Sequence, residues 1–518
     1  MRYAVVLIFA ASVVLANAAT IESDLRAVAA LPGEPRIVSA AALTKDDRPI
    51  LTLENTQAFD PPEKLRAVIY AAGGNQRAAA AVVDMVRWIK ASAPAALRDQ
   101  WVVSALPSAD FDPADAKSFE RWLRFQAPDV VVEVVDGDAR PSGFSADGVP
   151  ASVVRLPAAP QTIGATLTDA ARAGRSRLHE TIAARVRRGP LAIARLLAAR
   201  YPETPGISYI PALSWVNTLR LAKITGDDSL RERVRVQTQP WTSGEKPLFG
   251  DRIQLTAVAG TMIFAELARD AETARSSAAP ALRALADRGA DLAAARQASG
   301  ISQYGGGWTD DMFMAASVLA RASEREGRPD DLDKAARLVI DYASRLQRAD
   351  GLYNHAINGP AAWGRGNGFA AFGVMETLTA MPQSHGMRAQ LLDIFRRQMA
   401  AVKAQQAPDG AWREVIDEPG AYREETATAM LLSAMARGMR LGWLDASYRQ
   451  TIDRAWRALS AHVAEDGTVV DVCASTGAGP TPRYYLDRPA LTGADDRGGA
   501  MALTAALELL EHAGPANQ

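Results

Sequence analysis

At 518 residues the chain is longer than one hydrophobic core usually supports, which argues for two domains. Hydrophobic residues make up 48% and charged residues 23%, a balance that excludes both a disordered chain and a membrane-filling one. With 58 basic and 59 acidic side chains the formal net charge is -1, so there is no global electrostatic footprint for nucleic acid or an anionic membrane.

Arg2 stands ahead of an apolar run from Ala4 to Ala16, and Ala16-Asn17-Ala18 offers small residues at a cleavage position. This is the pattern of a signal peptide over residues 1–19. The run is shorter than the roughly 20 residues that a helical membrane span needs. The expectation is export to the periplasm or the medium, with no membrane attachment once the signal is removed. Cys473 is the single cysteine, so an exported chain has no internal disulfide and relies on its core.

Residues 20–174 alternate short β-branched runs with helical stretches. Arg66 to Ala71, Trp101 to Ala105, Asp129 to Val135 and Ser152 to Arg155 have the continuous apolar character of buried strands. Helical patterns at Arg77 to Ala91 and Ala116 to Phe125 separate them, the βαβ rhythm of an α/β domain with a mostly parallel sheet. Residues 175–518 contain no such runs. Leu391, Leu392, Phe395, Met399 and Val402 repeat at helical spacing with Arg396, Arg397 and Lys403 on other faces, and about eleven segments of this kind follow one another to the C-terminus. Connections such as Glu326-Gly-Arg-Pro-Asp330 and Ala407-Pro-Asp-Gly410 punctuate them. That number is close to the twelve helices of a closed double ring of helical hairpins.

The residues suited to chemistry cluster in the second half: Gly305 to Met314, Asp350 to His355, Trp363 to Phe369, Arg423 to Met430 and Arg483-Tyr-Tyr485. Most combine an aromatic ring with a charged or amide group, and glycines let backbone approach a ligand. An aromatic face suits a pyranose, a carboxyl group moves protons, and an arginine grips a carboxylate at two points. On that basis Trp308, Trp363, Phe369 and Tyr485 supply faces, Asp310 the proton and Arg365 the grip. Taken singly, each has a plainer reading: Asp310 as a helix N-cap, Arg365 as a loop brace, His355 as a bonded loop histidine and Trp363 as core. Asp311 reads as the solvated cap of the Asp310–Asp311 pair.

The run Trp308-Thr-Asp-Asp-Met-Phe-Met314, then Gly351-Leu-Tyr-Asn-His355, Trp363-Gly-Arg-Gly-Asn-Gly-Phe369, Glu424-Glu-Thr-Ala-Thr-Ala-Met430 and Tyr484-Tyr-Leu-Asp-Arg-Pro489 resembles glycoside hydrolase family 105. These are the unsaturated rhamnogalacturonyl or glucuronyl hydrolases, relatives of family 88. The resemblance implies an (α/α)6 barrel. It also implies hydration of the 4,5-double bond that lyases leave on a non-reducing uronosyl residue of an oligosaccharide. By motif position Asp310 matches the general acid/base, Asp251 a second aspartate, and His355, Trp363 and Arg365 the sugar- and carboxylate-contacting positions. Glu424 and Tyr485 lie in the last two motifs and are candidate substrate contacts with Trp308 and Phe369. Phe369 departs from the usual tryptophan, which bears on the substrate rather than the reaction. No metal or organic cofactor is required.

Arg66 to Gln76 and Pro128 to Gly137 more faintly resemble the zinc carboxypeptidase fold. Gly73, Gln76 and Val135 stand where that family has its zinc ligands, so a metal-free domain is expected. Two other functions stay open from sequence. One is an inverting exo-glycosidase with Asp310 as acid and Asp251 or Glu424 as base, and the other is a carbohydrate-binding pseudoenzyme.

Overall fold

The computed structural model describes residues 20–56, 58–59, 63–71, 75–107, 116–136 and 152–513. The proposed signal peptide and Gly73 lie outside them. Two compact units divide the chain: Met1–Arg187 with Ala407–Gly410 and Glu418–Tyr422, and the remainder from Arg188 to Gln518.

The first unit is built on a six-stranded sheet. Its strands are β1 (Ile37–Leu43), β2 (Pro49–Glu54), β3 (Leu65–Ala71), β4 (Trp101–Leu106), β5 (Val130–Val135) and β6 (Ser152–Pro157), in the order β1-β2-β4-β3-β5-β6. β3 runs parallel to β4 and β5, and β5 parallel to β6. β1 and β2 form an antiparallel pair, and β2 is antiparallel to β4, so the sheet is mixed. This first hairpin is absent from the sequence reading because Ser39-Ala-Ala-Ala42 carries no strand signature. It closes through Thr44 to Arg48, where the Thr44 amide donates to the Arg48 carbonyl (2.8 Å) and Asp47 takes a left-handed φ of 58°, a conformation aspartate tolerates.

β3 and β4 are buried along their whole lengths, as strands covered on both faces must be. Helix α1 (Gln76–Ala91), capped by Asn75, packs Val82, Met85 and Val86 on one face of the sheet with Ile69, Val103 and Val132. Helix α2 (Ala116–Gln126) covers the other, where Phe119, Trp122 and Leu123 meet Tyr70 and Val131. Gln76 is exposed at the start of α1, and Val135 ends β5. The unit extends past residue 174 because the following helix, Arg177–Val186, is anchored to it: buried His179 pairs with buried Asp129 at 2.9 Å, and Ser176 Oγ donates to the Pro128 carbonyl.

The second unit contains helices α3 (Pro190–Arg200), α4 (Tyr209–Thr225), α5 (Asp228–Thr242), α6 (in two pieces, Leu255–Gly260 and Met262–Thr273), α7 (Ala279–Ala294), α8 (Thr309–Ser323), α9 (Asp330–Leu346), α10 (Gly364–Ala380), α11 (Arg388–Ala404), α12 (Glu425–Arg440), α13 (Arg449–His462) and α14 (Asp496–Ala513). The even-numbered helices touch in sequence, α4 on α6, α8, α10, α12 and α14, and α14 closes back onto α4. Each odd-numbered helix lies against one or two members of that ring, α3 chiefly against α14. Twelve helices thus alternate between an inner and an outer layer, an (α/α)6 barrel.

Sequence sets the layer. α10 buries nearly every side chain, as an inner helix should, whereas α9 buries one stripe from Leu332 to Leu346 and leaves most of its charges outside. Small residues set the spacing: a Cβ on Gly373 of α10 would lie 2.5 Å from the Met312 carbonyl oxygen of α8. Among the described residues no helix is long and apolar enough to cross a membrane.

Candidate active site

The inner helices start at one mouth of the ring, and three of them start with or just after an aromatic residue: Tyr209 on α4, Trp308 before α8 and Trp363 before α10. Trp308 is the N-cap residue of α8, so Asp310 lies in the first turn rather than capping it. Its carboxylate is 18% exposed, and Oδ2 lies 3.1 Å from His355 Nε2. His355 is fully buried, with Trp308 and Trp363 at ring-centroid distances of 5.2 and 4.6 Å. Its other nitrogen, Nδ1, is 3.0 Å from the hydroxyl of buried Tyr485, which accepts from the Gly479 amide at 3.1 Å. The Thr309 amide donates to the His355 carbonyl (3.0 Å) and the His355 amide to that of Ala361 (3.0 Å), so backbone fixes the histidine loop to the start of α8.

Asp311 is buried, not the solvated cap the sequence suggested. It accepts from the Gly307 amide at 2.7 Å, the Tyr342 hydroxyl at 2.8 Å and the Gly306 amide at 3.3 Å. Burial pushes its carboxyl up to about 6, against the pull of Tyr342 and Gly307. The glycines before it are required: a Cβ on Gly305 would sit 2.4 Å from the Asp311 carboxylate, and Gly307 has a φ of +76°. Asp311 therefore shapes the loop that presents Asp310.

Arg365 lies in the first turn of α10 rather than in a loop, and it is 2% exposed. Nη1 donates to the Cys473 carbonyl at 2.9 Å and to Thr426 Oγ1 at 3.4 Å, the guanidinium sits 5.0 Å from the Trp363 ring centre, and Nε has no hydrogen-bond partner. Burial opposes its charge, but Cys473, Glu424, Tyr209 and Glu414 hold it above the ordinary arginine value. A Cβ on Gly366 would meet Thr309 Oγ1 and Trp363 Cε3, each at 2.8 Å, so this glycine lets the first turns of α10 and α8 come together.

Several expected contacts take other roles. Trp363 is 2% exposed: its indole N–H donates to Glu414 Oε1 (3.0 Å), and its ring is packed by His355 and Arg365, so it is a brace rather than an open sugar platform. Phe369 is core, stacked on Phe313 and edge-on to Tyr209. Glu424 is the N-cap of α12, its carboxylate taking the Thr426 and Ala427 amides, the Thr426 hydroxyl and the Cys473 amide. That leaves it no room to act as a base or a ligand contact. Tyr485 is fully buried and bonded to His355. Asp251 sits in an exposed bend before α6, and no hydrogen bond joins it to Asp310. Trp308 alone of the four predicted aromatic faces is partly exposed.

Two groups at this mouth escaped the sequence reading. Burial raises the Tyr209 phenol to about 12, and the charges acting on it include Arg365 and Asp310. Its signal, an aromatic at a helix start after Ser208, is the one that marked Trp308. Glu414 is fully buried beneath Trp363, accepts from Cys473 Sγ at 3.1 Å, and is pushed up to about 8 by burial and then by Glu424. Nothing in Arg413-Glu-Val415 distinguishes it.

This fold and this mouth define a class. The family described as Glycosyl Hydrolase Family 88 matches residues 199–513, more than half of the chain, and the chain belongs to it and so to the glycoside hydrolases. Its relatives include the unsaturated rhamnogalacturonyl hydrolase YesR of Bacillus subtilis (strain 168), 27% identical over 190 residues that cover 35% of this chain and 54% of that protein. Another is the unsaturated 3S-rhamnoglycuronyl hydrolase of Alteromonas sp. (strain LOR), 26% identical over 175 residues, 31% of this chain and 42% of that protein. The chain thus spans about half the length of these curated relatives. The solved structure of a possible member of the GH105 family from Salmonella enterica serovar Paratyphi A superposes with a TM-score of 0.55 at 20% identity, over 62% of this chain and 93% of that one. That likeness bears on the helical barrel.

Proposed function

We propose that this protein removes a 4,5-unsaturated uronosyl residue from the non-reducing end of an oligosaccharide by hydrating its double bond, with Asp310 as general acid and then base. The observation that carries this reading is a partly exposed carboxylate, Asp310, held against the buried His355 between aromatic rings at the mouth. Asp311, Glu414 and Glu424 are buried and occupied, whereas Asp310 is partly exposed with one oxygen on His355. An inverting glycosidase needs a second working carboxylate roughly 6.5–9.5 Å from the acid; Glu424 is bound up in capping its helix, which leaves Asp251 as the candidate for that reading. Both curated relatives above carry "unsaturated" in their names, which supports the same substrate class.

In this reading Asp310 protonates C4 of the enol ether, and positive charge develops at C5. Water adds at C5 while losing its proton to the Asp310 carboxylate, which restores the acid. The resulting hemiketal opens, and the neighbouring sugar leaves. The uronate carboxylate faces the positive ends of the inner helices and the buried Arg365, both of which favour an anion. Trp308 supplies the pyranose face. In this reading the α/β unit holds no zinc, and the N-terminal leader directs the chain to the periplasm or the medium.

The test is turnover of lyase-generated oligosaccharides, followed by loss of the alkene-carboxylate ultraviolet absorbance together with sugar release. A saturated aryl glucuronide should be inert, since it has no double bond to protonate. Equal turnover of the saturated compound would overturn the hydration mechanism.

A further inference from the structure

We infer that Tyr485 is a positioning residue for Asp310: through His355 it decides whether the acid meets a hydrogen-bond donor or an acceptor. The inference rests on the reading of Asp310 as the proton carrier. It assigns to Tyr485 a role different from substrate contact, which its complete burial precludes.

The geometry is a chain of three short links: the Gly479 amide to the Tyr485 oxygen (3.1 Å), that oxygen to His355 Nδ1 (3.0 Å), and His355 Nε2 to Asp310 Oδ2 (3.1 Å). A phenol oxygen carries one hydrogen and accepts at its lone pairs. Gly479 uses one accepting position and leaves Tyr485 able either to donate to Nδ1 or to accept from it. Burial raises the phenol above its ordinary value, so it keeps its proton across the working range.

Two arrangements are open without moving a heavy atom, but in the second the Tyr485 oxygen accepts twice and its own hydrogen has no acceptor among the described residues. With Asp310 ionised, the Tyr485 hydroxyl donates to Nδ1, and the Nε2–H donates to the carboxylate. With Asp310 protonated, its hydroxyl donates to Nε2, and the Nδ1–H donates to Tyr485. An imidazole clamped between two indoles cannot turn to find other partners, so the tautomer must change instead. A hydration cycle in which Asp310 gives up a proton and takes one back passes through both arrangements. Tyr485 favours the first, whose Nε2–H donates to the Asp310 carboxylate, and phenylalanine at 485, which leaves Nδ1 without a partner in both, removes that preference.

The test is Tyr485→Phe beside Asp310→Asn, assayed on an unsaturated uronide across pH. Asp310→Asn must abolish most turnover first; if it does not, the reading of Asp310 itself fails, whatever Tyr485 does. Given that, Tyr485→Phe should lower kcat by at least about tenfold with KM nearly unchanged, and should move the alkaline limb of the kcat profile to higher pH. A uniform loss at every pH, or a profile that superimposes on the parent's, would overturn the inference. Nitrogen NMR of ring-labelled histidine in the parent protein gives a second decision that does not depend on how the variant folds. His355 should be the Nε2–H tautomer at neutral pH, and an Nδ1–H tautomer there would also overturn it.

Discussion

The two ends of the helical ring are made from the same six inner helices and use charge in opposite ways. At the far rim, arginines near the helix C-termini answer glutamates from the neighbouring helices. Arg321 reaches Glu266 (2.9 Å) and Glu376 (2.6 Å), Arg437 reaches Glu376 (2.8 Å) and Glu508, and Arg220 and Arg440 also bond Glu508, at 2.8 and 3.1 Å. All six inner helices contribute to this wheel or its margin. At the mouth, the charged groups are separated by aromatic rings and backbone: Asp310 meets only an imidazole, and Arg365 meets a carbonyl and a hydroxyl. Cations suit the negative helix ends and an anionic substrate suits the positive ones, so helix polarity makes one end a closure and the other a site. The rim spends its charge on itself, and the mouth holds some back.

Paired substitutions should separate these roles. Asp310→Asn should lower kcat by at least about 10² with an unchanged melting temperature, since its carboxylate is a surface of the mouth rather than part of the core. Arg437→Met at the rim should destabilise the fold by about 3–5 kcal/mol, because it takes one of two arginines from buried Glu376 and one of three from buried Glu508, while kcat per folded molecule stays near the parent value. Thermal unfolding and single-concentration turnover on both variants suffice. A destabilised Asp310→Asn or a stable but inactive Arg437→Met would break the division of labour.

How much of this was legible in the sequence varied with the kind of signal. The barrel was, because about eleven amphipathic stripes such as Leu391 to Val402 follow one another in the second half, close to its twelve helices. The four parallel strands were legible as continuous β-branched runs, while the alanine-rich β1 was not. Asp310 and His355 were singled out from separate motifs, and the fold brings them within 3.1 Å. Their neighbours were misread where burial decides the role. Trp363, Phe369 and Tyr485 have the composition of sugar platforms, but a sequence does not say which face of a helix start looks inward. Glu424 looks like a base until the amides of Thr426, Ala427 and Cys473 close on it. Asp311 and Asp310 are adjacent letters on opposite sides of one helical turn.

The two ends should also answer pH in opposite directions. Although burial pushes the other way, Arg321 and Arg437 hold Glu376 down to about 2. Its contribution is present above the ordinary glutamate range and is lost as pH falls toward that value. Near the mouth, His462 is opposed by burial but raised to about 9 by Glu425 and Asp471, which lie 3.4 and 3.6 Å from its nitrogens. A histidine raised above its unfolded value of roughly 6.5 contributes fully below that pH and loses the contribution as pH rises through about 9. The melting temperature of the parent should therefore decline by about 2–4 °C between pH 6.5 and 9 from this group, and His462→Gln, though less stable at pH 6, should lack that decline. A variant with the parent's slope would assign the alkaline loss elsewhere.

The smallest effect belongs to Glu414, and its sign is the sharpest test of how the mouth is charged. If this carboxyl were ionised and paired with Arg365, Glu414→Gln would destabilise the protein at neutral pH. The geometry says otherwise: one oxygen accepts from Trp363 and Cys473, the other is buried with no hydrogen-bond partner, and burial followed by the neighbouring Glu424 pushes the group up to about 8. An acid held protonated in the folded state binds more protons than the unfolded chain between roughly pH 4.5 and 8, so stability falls with rising pH across that window. Glutamine reproduces the protonated shape and cannot ionise in either state. Glu414→Gln should match the parent near pH 4.5 and exceed its melting temperature by about 2 °C at pH 8, with the difference opening between the two. A melting temperature lowered at pH 7 would mean that Glu414 is the counter-ion of Arg365. The mouth would then be closed on itself by an ion pair, as the rim is.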